Sequence, residues 1–178
     1  AKLGCDPAQG QALMLKNFGS NMKIHDLSIE EEANFFGLTF DGQEIFKNAV
    51  RTMAKLAKEA LEEANLTIED IELCIPHQAN TRILQATARR CDLPLEKVFI
   101  NLDKYGNTSA ASIPVALTEA LEQNKIKQNT KILFLAFGAG LTSAAAIIDW
   151  GSRIHSIKKS RASLPACSKT GLELINQA

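Results

Sequence analysis

The segment Ile75-Pro-His-Gln-Ala-Asn80 ends an apolar run in a proline and then sets a histidine and two carboxamides, with no charge, at its exit. In an α/β pattern ligands bind outside the carboxyl ends of strands, so polar groups at such an exit face a crevice. Two other stretches have the same character: Tyr105-Gly-Asn-Thr-Ser109 and Phe137-Gly-Ala-Gly140. Each alone has an ordinary reading, since a strand-end His also serves in packing, an Asn before a helix also serves as its cap, and a lone glycine-rich turn is weaker still. Their joint occurrence at strand exits and helix starts points to one edge of one sheet. The groups on offer are neutral hydrogen-bonding side chains and close-approaching backbone, and spacing alone does not name a reaction.

The elements that must position these groups can be read from periodicity. Ala1 to Asn34 is rich in Gly, Asn and Glu and reads as an irregular surface segment, followed by a strand over Phe35–Phe40. Asp41 with Glu44 has the spacing of a capping box. Ile45, Phe46, Ala49, Val50, Met53, Leu56, Ala57, Ala60, Leu61 and Ala64 then recur at helical period. Ile71–Ile75 reads as a strand, and Asn80–Cys91 as a helix with an apolar stripe of Ile83, Leu84, Thr87, Ala88 and Cys91. At 100° per residue Arg82 and Arg89 fall opposite that stripe and Arg90 at its flank. Val98–Asn101 reads as a strand, Ser109–Gln123 as a helix, and Lys131–Phe137 and Thr142–Trp150 as two closing strands. Strands alternating with helices imply a parallel sheet between helical layers, and the closing pair implies an antiparallel edge.

Composition bounds the function classes. The 178 residues are 46% hydrophobic and carry 20 basic and 20 acidic side chains, which suits one soluble domain. A neutral balance without a dense Lys/Arg tract in the first 150 residues lacks the footprint of a nucleic-acid binder. Cys5, Cys74, Cys91 and Cys167 are widely spaced with no C-x-x-C, so no metal site or redox pair is expected and a reducing compartment is. No apolar run is long enough for a bilayer, so no membrane partner is expected. The chain begins with Ala, so a targeting peptide ahead of it would be invisible.

In combination and in order, "IPHQANTRIL", "KYGNTSAASIPVAL" and "LFLAFGAGLTSAAAII" closely resemble the carboxyl-terminal half of β-ketoacyl-acyl-carrier-protein synthase III, a thiolase-fold condensing enzyme. The match runs from about Gly42 to Trp150, and "LGCD" at Leu3–Asp6 looks like the turn closing the family's first half. The resemblance implies a thiolase-like α/β fold, one βαβαβαββ half with a mixed sheet and helices on both faces. It implies residues 1–34 joining a missing amino-terminal half, a domain over 35–150, and a tail over 151–178. It further implies His77 and Asn107 as the catalytic pair, and Phe137, Gly138, Ala139 and Gly140 as the oxyanion and active-site loop. Gly42, Phe46, Ala79 and Ile83 would contact substrate, and Lys47, Arg82, Arg89 and Arg90 would form a docking patch for an acyl carrier protein. A solvated helix face is the plain alternative for those arginines.

The implied activity is decarboxylative Claisen condensation of an acyl-CoA primer with a malonyl-carrier thioester, initiating fatty acid synthesis. Negative charge develops on the malonyl thioester oxygen, and two neutral donors stabilise it as preorganised dipoles without anchoring the departing carboxylate. No cofactor is implied; the substrates are a CoA thioester and a phosphopantetheine-carrier thioester. A homodimer and a bacterial cytoplasmic location, with a plastid as the other option, follow by the same resemblance.

The sequence departs from the family where the nucleophilic cysteine should be, because none of its four cysteines stands at the matching helix start. Cys167, in "PACSKTGLELI", only echoes that segment. Ala139 replaces a common Gly and Ser143 a common Trp. The family's chain normally stops near Trp150, so Gly151–Ala178, with Arg153, Lys158, Lys159 and Arg161, is read as an extension, an artefact or a disordered tail. The chain is therefore expected to be a fragment of a complete condensing enzyme, inactive by itself. The alternatives are half of a split or polyketide-type enzyme, and a non-catalytic carrier-binding module.

Overall fold

Asp41 starts the longest helix and ties it to the beginning of the chain. Its carboxylate accepts the backbone N–H groups of Gln43 and Glu44 at 3.1 and 3.0 Å, capping α1 (Gly42–Glu63). The returning half of the expected capping box is not made, because the Asp41 N–H donates to the Ala12 carbonyl at 2.8 Å and Glu44 pairs with Lys47 at 2.9 Å. The computed structural model describes residues 1–15, 37–155, 162, 168 and 169. Phe35 and Phe36 lie outside the described residues. The strand predicted there is seen as β3 (Leu38–Phe40), which pairs antiparallel with β2 (Leu13–Leu15).

The main sheet contains β1 (Lys2–Cys5), β4 (Leu73–Pro76), β5 (Lys131–Gly138) and β6 (Thr142–Asp149) in the order β1-β6-β5-β4. β4 runs parallel to β5, and the other two ladders are antiparallel. The sheet is mixed as expected but has four strands rather than the five of the expected pattern: β1 joins it, whereas β3 pairs only with β2 and Val98–Asn101 forms no strand. The start of the chain, read as irregular, supplies β1 and, after a 3₁₀ turn over Pro7–Ala12, β2. Four residues of Lys-Leu-Gly-Cys carry almost no periodic signal, and their partner β6 lies at the far end of the sequence. Gly4 permits the pairing, since a Cβ there would stand 2.9 Å from Ser143 Oγ and 3.4 Å from Leu56 Cδ1. The strand expected over Val98–Asn101 is reduced to one parallel bridge between Val98 and Cys74. Phe99 N–H reaches the Cys74 carbonyl at 2.8 Å, but the Asn101 N–H turns to the Gln78 side chain and the short helix α3 (Leu102–Tyr105) begins.

Helices cover both faces of this sheet. α1 and α2 (Thr81–Arg90) pack Met53, Leu56, Ala57, Ile83 and Ala88 against Cys74, Leu133, Leu135 and Ala145. On the other face Ala116 and Ala120 of α4 (Ser112–Glu122) join Leu73, Ile75, Phe99 and Ile132. Alternate residues of β5 therefore serve opposite layers, as the strand period of two requires. A strand buried on both faces reads as a continuous apolar run, which is why "KILFLAF" was legible. Phe46, placed by periodicity on the apolar face of α1, is not in this core; it is partly exposed and turns to the cleft described next.

Candidate active site

His77 is the first residue past β4, and its backbone N–H donates to the Leu135 carbonyl at 2.7 Å, continuing the parallel ladder. Pro76 removes a donor from β4, which is tolerable at this edge of the four-stranded sheet. The imidazole is half-buried, with Nδ1 2.6 Å from Ser112 Oγ at the start of α4. Burial without a carboxylate partner holds its pKa below the ordinary histidine value, so the ring is neutral near pH 7.

Asn107 reaches the same place from a different loop. Its Oδ1 accepts the Ser109 N–H at 2.9 Å, which leaves the Nδ2 hydrogens directed elsewhere, and the side chain is exposed to the cleft. A buried polar network clamps the two loops together. Gln78 Nε2 donates to the Pro76 and Phe99 carbonyls at 2.8 and 3.1 Å, and its Oε1 accepts the Asn101 N–H at 3.1 Å. Asn101 Nδ2 in turn donates to Glu119 Oε2 at 2.8 Å, and Lys104 Nζ pairs with Glu119 Oε1 at 2.8 Å. The Lys104 ammonium, then the Asn101 amide, hold the Glu119 carboxyl below its usual range. Sequence reading passed over Ser112, Asn101 and Glu119, and treated Gln78 only as one more loop amide.

His77 and Asn107 both line one cleft of about 1610 Å³. Phe137, Gly138 and Ala139 line it too, as do the expected substrate contacts Gly42, Phe46, Ala79 and Ile83. Lys47 and Arg82 stand on its wall, whereas Gly140, Arg89 and Arg90 are not part of the lining. Gly140 shapes the turn behind it instead: its φ is 133°, and a Cβ would meet Thr142 Cγ2 at 2.7 Å. Ala139 has no positive φ, so its Cβ is accommodated without strain. Leu3, Met14, Leu38 and Phe40 form a further apolar wall that sequence reading missed.

No cysteine lines the cleft among the described residues. Burial pushes the Cys74 thiol far up and Cys91 up to about 11, which makes both poor nucleophiles. Cys5 sits exposed on β1, and Cys167 lies outside the described residues. Among those residues no group of three His, Cys, Asp or Glu side chains is arranged to hold a metal ion, and no helix is long and apolar enough to cross a membrane. Arg82, Arg89 and Arg90 are exposed on α2 and make no ion pair within the described residues.

The chain is similar in sequence and fold to known proteins. It is 44% identical over 178 residues to β-ketoacyl-[acyl-carrier-protein] synthase III 2 of Vibrio cholerae, covering 100% of this chain and 48% of that protein. The Vibrio match takes in residues 151–178, beyond the point where the domain was expected to end. A synthase III of Roseiflexus castenholzii is 45% identical over 150 residues, covering 84% of this chain and 45% of the relative. A crystal structure of synthase III from Thermus thermophilus superposes with a TM-score of 0.72 at 42% identity, over 85% of this chain and 46% of its own. The chain thus spans about half the length of the relatives it matches, and its fold is half of a thiolase-like α/β architecture. Residues 61–150 match the model of the 3-oxoacyl-[acyl-carrier-protein] synthase III carboxyl-terminal domain, and the chain belongs to that family.

Proposed function

We propose that this chain is the His/Asn-bearing half of an acyltransferase that condenses an acyl-CoA primer with a malonyl-carrier thioester, losing carbon dioxide, at the start of fatty acid synthesis. The observation that carries this reading is the convergence of a neutral imidazole and a carboxamide on one largely apolar cleft. Decarboxylation leaves an enolate whose oxygen gathers negative charge, and two fixed neutral donors stabilise that charge in a water-poor site. A cation in their place would hold the carboxylate that must leave. Phe137, at the end of β5, presents an apolar surface beside them, and the long apolar cleft suits a pantetheine arm and an acyl chain.

The nucleophilic cysteine is supplied by the other half of the enzyme, and the backbone of Phe137–Gly140 serves the acyl-cysteine carbonyl. Acyl carrier protein, acyl-CoA and that other half are the partners, with a homodimer as the complete assembly and the bacterial cytoplasm as its place of action. The test is His77→Ala in the complete enzyme. Malonyl decarboxylation is expected to fall by about 10²–10³, the usual cost of one oxyanion donor, while acyl transfer to the nucleophile continues. Condensation at near wild-type rate would remove His77 from the mechanism.

A further inference from the structure

Ser112 lies at the first turn of α4, buried to 2% exposure, and its hydroxyl is shared between two neighbours. The Gln78 N–H donates to Oγ at 3.2 Å, and His77 Nδ1 stands 2.6 Å from the same atom. A backbone N–H can only donate, so it occupies one lone pair of Oγ. The contact with Nδ1 then has two possible senses. If Nδ1 carried the proton, it would take the second lone pair and leave the Ser112 hydroxyl hydrogen with no acceptor in a buried position. Thr52 and Thr118 dispose of theirs on the carbonyls four residues earlier, Asn48 and Pro114, at 2.7 and 2.9 Å. Ser112 makes no such bond. A buried donor left unmade is costly, whereas donation from Oγ to Nδ1 satisfies all three groups at once.

We infer that Ser112 is a positioning residue: its hydroxyl donates to Nδ1 of His77 and thereby fixes the ring as the Nε2–H tautomer, with that N–H turned to the cleft. Nε2 has no hydrogen-bond partner among the described residues, while His77 itself lines the cleft. Two constraints converge on the ring: the Leu135 carbonyl, continuing the sheet ladder, holds its backbone, and Ser112 selects which nitrogen presents a proton. The consequence for condensation rests on the function proposed above, but the tautomer itself does not.

The experiment reads the ring directly. The full chain is labelled with ¹⁵N-histidine, and long-range ¹H–¹⁵N correlations are recorded at pH 7.5. His77 is distinguished from His25 and His155 by the signals lost in His77→Gln. The expected spectrum shows Nδ1 as a lone-pair nitrogen and Nε2 as a protonated one, in a single form. Ser112→Ala is expected to move both nitrogens toward the averaged shifts of mixed tautomers, and Ser112→Thr, which keeps the hydroxyl, to retain the wild-type pattern. Should Ser112→Ala not fold, Ser112→Cys, with a weak S–H donor in a similar shape, takes its place. A protonated Nδ1 in the wild type overturns the inference, as does a truncation variant whose ring spectrum is unchanged. No condensing activity is measured, so the outcome stands or falls separately from the proposed reaction.

Discussion

At the scale of single residues, Asn107 tests whether hydrogen-bond geometry can be divided between structure and chemistry. Its Oδ1 accepts the Ser109 N–H, and in the proposed reaction its Nδ2 faces the enolate. Asn107→Asp keeps the acceptor and removes the donor, so stability is expected to stay within about 0.5 kcal/mol, while malonyl decarboxylation in the complete enzyme falls by about 10² or more. Urea unfolding alongside a decarboxylation assay checks both; a stable variant of normal rate would leave Asn107 as a cap only. His77 supplies a pH signature. Burial lowers its folded pKa below the usual value of 6.5, so decarboxylation is expected to hold level from pH 8 down to about 6.5. It declines only below that, in a pH–rate profile. The sign for stability is the same: between the two pKa values the unfolded chain binds the extra proton, and stability falls as pH drops through that window. That His77 and Asn107 meet at one cleft was legible from their places at a strand exit and a helix start, whereas the roles expected of them came from the resemblance alone. Ser112 was not legible, because a serine 35 residues from its partner has no local mark that separates it from a helix-start serine facing solvent.

At the scale of elements, the site depends on two loops held at a fixed distance, and Gln78 is the clamp. Replacing it with Met keeps volume but removes the partners of the Asn101 N–H and the Phe99 carbonyl. Leaving such buried groups unmet costs about 3 kcal/mol in total, which thermal unfolding followed by circular dichroism should show as a lower Tm. A Gln78→Met variant as stable as wild type would mean the loops are set by packing alone. Acid should loosen the same network from its other end. The Glu119 carboxyl has a lowered folded pKa, first through Lys104 and then Asn101, so its contribution is present above the ordinary carboxylate range. That contribution is lost as pH falls through the folded value. The long elements were readable because α1 repeats its apolar residues over 22 positions, and β5 is buried on both faces. The failures have a common cause. β1 is four residues long with a distant partner, and Val98–Asn101 has strand-like composition but gives its last N–H to a side chain. Both were decided by tertiary hydrogen bonds, which local pattern does not encode.

At the scale of the whole molecule, the described part of the cleft has an exposed apolar wall, and the basic face of α2 stands beside it. Leu3 is 85% exposed, and Phe40 and Leu38 are 64% and 63% exposed, an apolar surface typical of an interaction site. The 178-residue chain alone is therefore expected to self-associate in sedimentation velocity. With no cysteine in its described cleft, it should also take no stable label from radioactive acetyl-CoA; label on Cys167 would give the tail a role in catalysis. Arg82 decides the question of the carrier protein. It lies on the cleft wall at the second position of α2, whereas Arg89 and Arg90 sit about 10 Å further along the axis at 1.5 Å per residue. Those two, in the last turn, have an ordinary structural use in complementing the helix dipole. Arg82 has none, since a cation at a helix amino terminus opposes the dipole, and Arg82→Glu should leave α2 as stable or slightly more so. Any loss of function in that variant cannot then be assigned to unfolding. A charge at the rim of an interface acts on encounter with an acidic partner and is screened by salt. Arg82→Glu in the complete enzyme is accordingly expected to raise KM for a malonyl-carrier protein about tenfold at low ionic strength. The gap from wild type should narrow at 0.5 M salt, and a small malonyl pantetheine thioester should be used as before. Equal losses with both substrates would show that Arg82 supports the cleft itself, and no loss with either would leave the three arginines as a solvated face.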